Sequence, residues 1–165
     1  MRFTGVALVA SAVILGACGG EKKDEAAAPA AAAPAAAAPA AAPAAAGTAA
    51  PITGATIEVK MIGDDKGYRF EPNDIKAKAG DAIKFVMISG GPHNVAFDAA
   101  TLPADVKTQL DANFGADKMA ELSSNMKMNP GETFILSLGG IKAGTYEFHC
   151  TPHLAMNMKG KITVQ

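Results

Sequence analysis

Gly144–Gln165 reads GTYEFHCTPHLAMNMKGKITVQ, and its alternation decides what kind of domain this chain forms. From Gly144 to Cys150 apolar and polar residues alternate with the period of 2 that marks a half-buried strand. Tyr146, Phe148 and Cys150 fall on one face, Glu147 and His149 on the other. Two aromatic rings identify the first face as the core side, so Cys150 points into the domain. Pro152 stops the strand, and KGKITV (Lys159–Val164) begins another. Between the two strands His153 stands three residues after Cys150, and Met158 five residues after that. The chain has 2 cysteines and 3 histidines, and one Cys and two His are gathered here.

The same period extends outward. TIEVKMI (56–62), DIKAKAGDAIKFVMIS (74–89) and ETFILSLGG (132–140) read as strands, the second stretch as two strands around Gly80–Asp81. Three turns share one form, KAGD, NPGE and KAGT. Gly80, Gly131 and Gly144 are expected to take the backbone dihedrals that tight turns demand there. The exception is Leu102–Ser124, where Val106, Leu110, Met119 and Leu122 recur at helical spacing, with Gly115 interrupting. One or two short helices are expected in this long connection. Short strands with regular turns predict an all-β antiparallel sandwich over residues 53–165. Removing Arg2, Lys22, Lys23, Glu21, Asp24 and Glu25 from the totals leaves 12 basic and 13 acidic residues in that domain. Such a near-neutral balance gives no basic patch for nucleic acid.

Residues 1–17, MRFTGVALVASAVILGA, have a basic start, an apolar run and a small-residue end, the pattern of an export signal. The run is too short to span a bilayer, which takes about 20 residues. LGAC (Leu15–Cys18) resembles a bacterial lipoprotein box, which implies lipidation of Cys18 and a membrane anchor. Gly19 rather than Asp after the cysteine points to the outer membrane where the cell has one. Residues 18–52 follow as a charged spacer and an Ala/Pro-rich disordered tether. Prolines 29, 34, 39, 43 and 51 break any helix, and an extended polyproline form reaches on the order of 80 Å.

Cys150, His153 and Met158 need a fourth group, and His93 in GGPHNVAFD supplies it from the head of another strand. Two imidazoles, a thiolate and a thioether suit copper. Zinc sites rarely use a thioether, whereas His2Cys with a weak axial Met is the blue-copper arrangement. Met156 is the alternative axial sulfur, two residues nearer. His149 faces away from the core, toward solvent or a partner, with a second metal role as the alternative.

PHNVAFD and YEFHCTPHLAMNMKGKITV resemble the cupredoxins, the type 1 blue copper family of plastocyanin and pseudoazurin. The resemblance covers Thr56–Val164. It implies an eight-stranded Greek-key sandwich and one copper ion cycling between Cu(I) and Cu(II). It implies His93 and His153 as equatorial ligands, Cys150 as the strong thiolate ligand and Met158 as the long axial ligand. Asn94 would tie the two ligand loops together. His153 would present an exposed imidazole edge inside an apolar rim of Pro92, Pro152, Leu154, Ala155 and Met156, against which redox donors and acceptors dock transiently. The expected protein is a monomeric, lipid-anchored, extracytoplasmic electron carrier and not an enzyme, with copper delivery as the alternative. A second, histidine-built copper centre has only His149 left to draw on.

Overall fold

The computed structural model describes residues 47–165. The expected export signal, Cys18 and the expected tether as far as residue 46 lie outside them; residues 47–52, read as the end of that tether, are instead held to the domain, where the Ala50 N–H donates to Asn113 Oδ1 at 2.9 Å and Gln109 Nε2 donates to the Thr48 carbonyl at 3.1 Å. The described chain forms ten strands and one α-helix. In order they are β1 (Thr56–Asp64), β2 (Gly67–Glu71), β3 (Asp74–Ala77), β4 (Ala82–Met87), β5 (Ala96–Phe97), α1 (Ala104–Asn113), β6 (Lys118–Ala120), β7 (Ser123–Ser124), β8 (Thr133–Ser137), β9 (Gly144–His149) and β10 (Lys159–Val164). They make two sheets, ordered β2-β1-β4-β8 and β3-β10-β9-β5-β7-β6. The chain passes repeatedly between the sheets, so sheet neighbours are often not chain neighbours, as in a Greek key. Ten strands stand where eight are expected because β5, β6 and β7 are fragments of two or three residues. Among the described residues no helix is long and apolar enough to cross a membrane.

The sandwich is mixed rather than purely antiparallel: β1 pairs parallel with β4, and β3 parallel with β10. The turn at Gly80–Asp81 explains this. It carries the chain from one sheet to the other instead of closing a hairpin, so β4 returns beside β1 in the same direction. Gly80 and Gly131 have positive φ, as the turn reading requires, but Gly144 does not; Gly140 does. Gly144 instead starts β9 and leaves room for the Tyr146 ring, whose hydroxyl donates to the Lys142 carbonyl at 2.9 Å.

Alternation places the core. Val59 and Met61 of β1, Phe85 and Met87 of β4, Phe134 and Leu136 of β8, Tyr146 and Phe148 of β9, and Ile162 and Val164 of β10 are all buried between the sheets. Phe148 sits at the centre, with ring centroids 4.7 Å from Phe70, 5.4 Å from Phe85 and 6.0 Å from Phe97. Burial of such a ring contributes about 1.5–3 kcal/mol.

The long connection holds one short helix, α1, as expected, but its second half departs from the helical spacing. Val106 and Leu110 are buried on α1, but Gly115, at φ +58°, ends the helical segment. Met119 then lies in β6, and Leu122 joins β6 to β7 at positive φ. Met119 is 54 % exposed while Leu122 is buried, so the two share no helical face. Their spacing matched a helix by coincidence.

Strand directions define two poles. β4 runs toward the His93 loop, β9 runs toward Cys150, and β10 starts opposite His149. All three segments carrying candidate ligands therefore meet at one end. At the other end Asp81 accepts from the Ala55 and Lys78 amides, both at 2.8 Å, and closes the start of β1.

Candidate metal centre

Cys150 is the next inward position after Phe148 on β9, and it is fully buried. Its Sγ lies 3.4 Å from His153 Nδ1 and 3.6 Å from His93 Nδ1. One ligand atom from each of the three lies within 4.8 Å of the others, and no other described group of three His, Cys, Asp or Glu residues converges in this way. His93 comes from the loop after β4, 57 residues before Cys150. Met158 is also fully buried. Its backbone closes the loop: the Cys150 N–H donates to the Met158 carbonyl at 3.0 Å, and the Met158 N–H to the His153 carbonyl at 3.2 Å. Asn157, at φ +62°, turns the chain back after a short 3-10 turn at Leu154–Met156. Met156 is 54 % exposed. Of the two candidate axial sulfurs, the fold buries Met158 and turns Met156 outward.

The hydrogen bonds set the protonation of the donors. His93 Nε2 is 2.8 Å from the Ser89 carbonyl, which can only accept. The ring proton therefore sits on Nε2, and the Nδ1 lone pair faces Cys150 Sγ. Burial pulls the basicity of both His93 and His153 below the usual imidazole range, and for His153 the nearby His93 adds to this. Burial pushes the Cys150 thiol up, against the opposing pull of the Asn94 and His153 backbone amides. Without metal the centre is thus two neutral imidazoles around a thiol.

Asn94 joins the two loops through hydrogen bonds. Its Oδ1 accepts from the Thr151 N–H at 2.8 Å, and its Nδ2 donates to Thr151 Oγ1 at 3.2 Å and Ser123 Oγ at 3.0 Å. A residue beside each candidate ligand, His93 and Cys150, is therefore held by one amide side chain.

Two features add to the sequence reading. His153 is only 6 % exposed, and Tyr68 stacks on one face of its ring with centroids 3.8 Å apart and 15° between the planes. The Tyr68 ring also meets His93 edge-on at 6.2 Å. Nothing in the local pattern around Tyr68 signals this; it follows from β2 pairing with β1 at the metal pole. His149 faces outward, as strand parity gives, and is half-buried. It lines a cavity of about 380 Å3 with Asp98, Glu147, Leu154 and Lys159, and burial lowers its basicity.

The rim residues Pro152, Leu154, Ala155 and Met156 are exposed, and Pro92 is half-buried. Ile88 follows β4 at the same pole, and Met128 adjoins Lys127, whose backbone pairs with His93. Ile88, Met128, Leu154 and Met156 are four of the seven large apolar side chains that the described surface exposes, so apolar exposure concentrates at the metal pole.

Two neutral imidazoles and a buried thiol, with a buried thioether in the same loop, form a mixed nitrogen and soft-sulfur set of the kind copper takes. The sequence profile of the copper-binding proteins of the plastocyanin/azurin family matches residues 57–165. Plastocyanin from Rumex obtusifolius is 38 % identical over 109 residues, spanning 66 % of this chain and 100 % of that protein. Plastocyanin from Prochlorothrix hollandica is 37 % identical over 111 residues, 67 % of this chain and 74 % of that protein. The oxidised plastocyanin from Dryopteris crassirhizoma superposes with a TM-score of 0.49 at 32 % identity, over 66 % of this chain and 99 % of that structure. The chain belongs to the plastocyanin/azurin family of copper-binding proteins, the cupredoxins, and binds one type 1 copper.

Proposed function

We propose that this protein is a membrane-tethered electron carrier whose copper is held by His93, Cys150, His153 and Met158. The observation that carries the reading is the convergence of Cys150 Sγ with two histidine Nδ1 atoms at 3.4 and 3.6 Å, all buried, beneath an apolar pole. Bound copper supplies a one-electron Cu(I)/Cu(II) couple. The protein's own contribution is positional. The Ser89 carbonyl fixes the His93 tautomer, Asn94 locks the two loops together, and Tyr68 covers one face of His153. The Asn94 and His153 amides favour the Cys150 thiolate once its proton has left. Donors arranged in this way before loading need little rearrangement when the charge of the site changes.

The apolar pole is the docking face for redox donor and acceptor proteins. Leu154 and Met156 lie beside His153, and an apolar rim permits contact without strong charge pairing, which favours rapid release. Lipidation of Cys18 and the Ala/Pro tether hold the carrier, as a monomer, on the extracytoplasmic side of a membrane. The sequence of residues 1–52 supports that part of the reading.

Loading the metal-free protein with Cu(II) tests the centre. An intense visible band from thiolate-to-copper charge transfer is expected, absent in Cys150→Ser and retained in Leu154→Glu, which should slow only exchange with a protein partner. A colourless complex ends the reading. Copper delivery predicts instead that a chelator strips the metal within minutes; the burial of all four side chains argues against so rapid a loss.

A further inference from the structure

We propose that the ion pair between Lys127 and Asp117 is a positioning clamp for His93; this deepens the copper reading above and rests on it. Lys127 is the only buried lysine among the described residues, 8 % exposed, and its Nζ lies 2.5 Å from Asp117 Oδ2. A lysine ammonium is rarely buried unless it is paired. The backbone of Lys127 shows what the pairing restrains. The His93 N–H donates to the Lys127 carbonyl at 3.0 Å, and the Lys127 N–H donates back to the His93 carbonyl at 2.7 Å. These two bonds form an isolated bridge outside the named strands, so no continuous ladder supports it.

Asp117 supports it instead. Its second oxygen, Oδ1, accepts from the Asn125 N–H at 3.2 Å. One carboxylate thus grips both ends of the segment Asn125–Lys127. Just before that segment Ser124 bonds Val95 twice, through its backbone N–H at 2.9 Å and its Oγ at 3.0 Å. His93 and Val95 are therefore splinted on both sides of Asn94 by one short run of chain, and the Lys127–Asp117 pair fixes the end of that run nearest His93. The His93 ring is separately tied to Ser89. Backbone and ring together define where Nδ1 stands. An apolar side chain at position 127 could fill the same space, but it would not set register; a directional ion pair does. Lys127 and Asp117 touch neither Cys150 nor His153 through any hydrogen bond of the structure, so they act through His93.

The test uses the full chain carrying Lys127→Met, Asp117→Asn or Lys127→Arg. In the metal-free protein the amides of residues 93 and 127 should exchange hydrogen about tenfold faster in Lys127→Met, equal to about 1.4 kcal/mol. The rise is measured against Val59 and Phe85 amides in β1 and β4, which should move much less. With Cu(II) the same variant should show altered charge-transfer intensities and altered copper hyperfine coupling, both restored in Lys127→Arg. If Lys127→Met does not fold, Asp117→Asn, which loses only the charge, carries the same comparison. Amides 93 and 127 rising in step with Val59 and Phe85, or a copper spectrum identical to the parent, would overturn the clamp. A parent protein with no thiolate-copper band would overturn the copper reading instead, and the exchange measurement would still decide the clamp.

Discussion

Asn94→Ala removes the amide that joins the two ligand-bearing loops, and its cost can be worked from the contacts. Asn94 is 1 % exposed and makes three hydrogen bonds, two to Thr151 and one to Ser123. A hydrogen bond contributes about 0.5–1.5 kcal/mol net, so three contribute roughly 1.5–4.5 kcal/mol. Thr151 is exposed, and water replaces part of what its N–H and hydroxyl lose. The expected cost is therefore about 2–3 kcal/mol. For a domain of this size that is a fall of roughly 8–15 °C in Tm. Urea unfolding of the metal-free protein measures it without interference from metal binding. Thr151→Val removes only the hydroxyl partner of Nδ2, so the double-mutant cycle with Asn94→Ala isolates that bond, at about 0.5–1.5 kcal/mol. A total cost below about 0.5 kcal/mol on the same hydrogen-bond scale, or a coupling of zero, would refute the view that Asn94 welds the loops.

Tyr68→Leu should weaken the His153 side of the centre by about 0.5–1.5 kcal/mol, the usual value of an aromatic pair beyond its burial. Titration of the metal-free protein with Cu(I) should find a correspondingly weaker complex, and unchanged affinity would mean that the ring only fills space. Phe148→Ala should cost about 3–5 kcal/mol in chemical unfolding, because it empties the centre of the aromatic cluster. A cost near 1 kcal/mol would mean that the neighbouring rings close the gap. The metal-free protein should be most stable between about pH 6.5 and 8.5, with the signs following from burial. His93 and His153 have lowered basicity, so below the ordinary histidine range the unfolded chain gains protons that the folded chain refuses. The Cys150 thiol is raised, so above its ordinary range the unfolded chain loses a proton that the folded chain keeps. Cys150→Ala should remove the first part of the alkaline decline, leave the later part to which burial of the Tyr146 hydroxyl contributes, and leave the acid decline.

Parity along single strands was legible from the sequence, and distant pairing was not. Tyr146, Phe148 and Cys150 alternate with Glu147 and His149 within one strand, and that local rule assigned inward and outward faces correctly. The spacing from Cys150 to His153 and Met158 is likewise local. The helical reading of Met119 and Leu122 failed because period 3.6 and a pair of short strands can present the same four apolar positions, and only Gly115 marked the break. Gly144 failed because its KAGT turn resembles two others, while the true constraint is the Tyr146 ring above it. Tyr68 had no signal at all. Its place over His153 depends on the β1–β2 register, in which Gly63 stands opposite Tyr68 without a side chain, and on a loop more than eighty residues later in the chain.

That same remoteness is what makes the centre rigid. Cys150, His153 and Met158 belong to one loop, and a loop alone would be free to change its spacing as the charge of the site changes. Two contacts from distant parts of the chain prevent this, and a local one holds His93 on the facing side. Asn94 holds Thr151 across 57 residues, Tyr68 presses on the His153 ring, and Ser89 holds the His93 ring in one tautomer. Each acts on a different neighbour of the Cys150 sulfur, so no single loop movement relaxes all of them. Asn94→Ala and Tyr68→Leu act on the same loop through Thr151 and His153, two residues apart, so their effects on copper affinity should not add. Lys127→Met acts through the His93 backbone rather than on the loop that Tyr68 covers, and should add to Tyr68→Leu more nearly than Asn94→Ala does. Additivity throughout would mean that the centre is a set of independent contacts. Coupling confined to the first pair would mean that it is two braced halves meeting at the sulfur of Cys150.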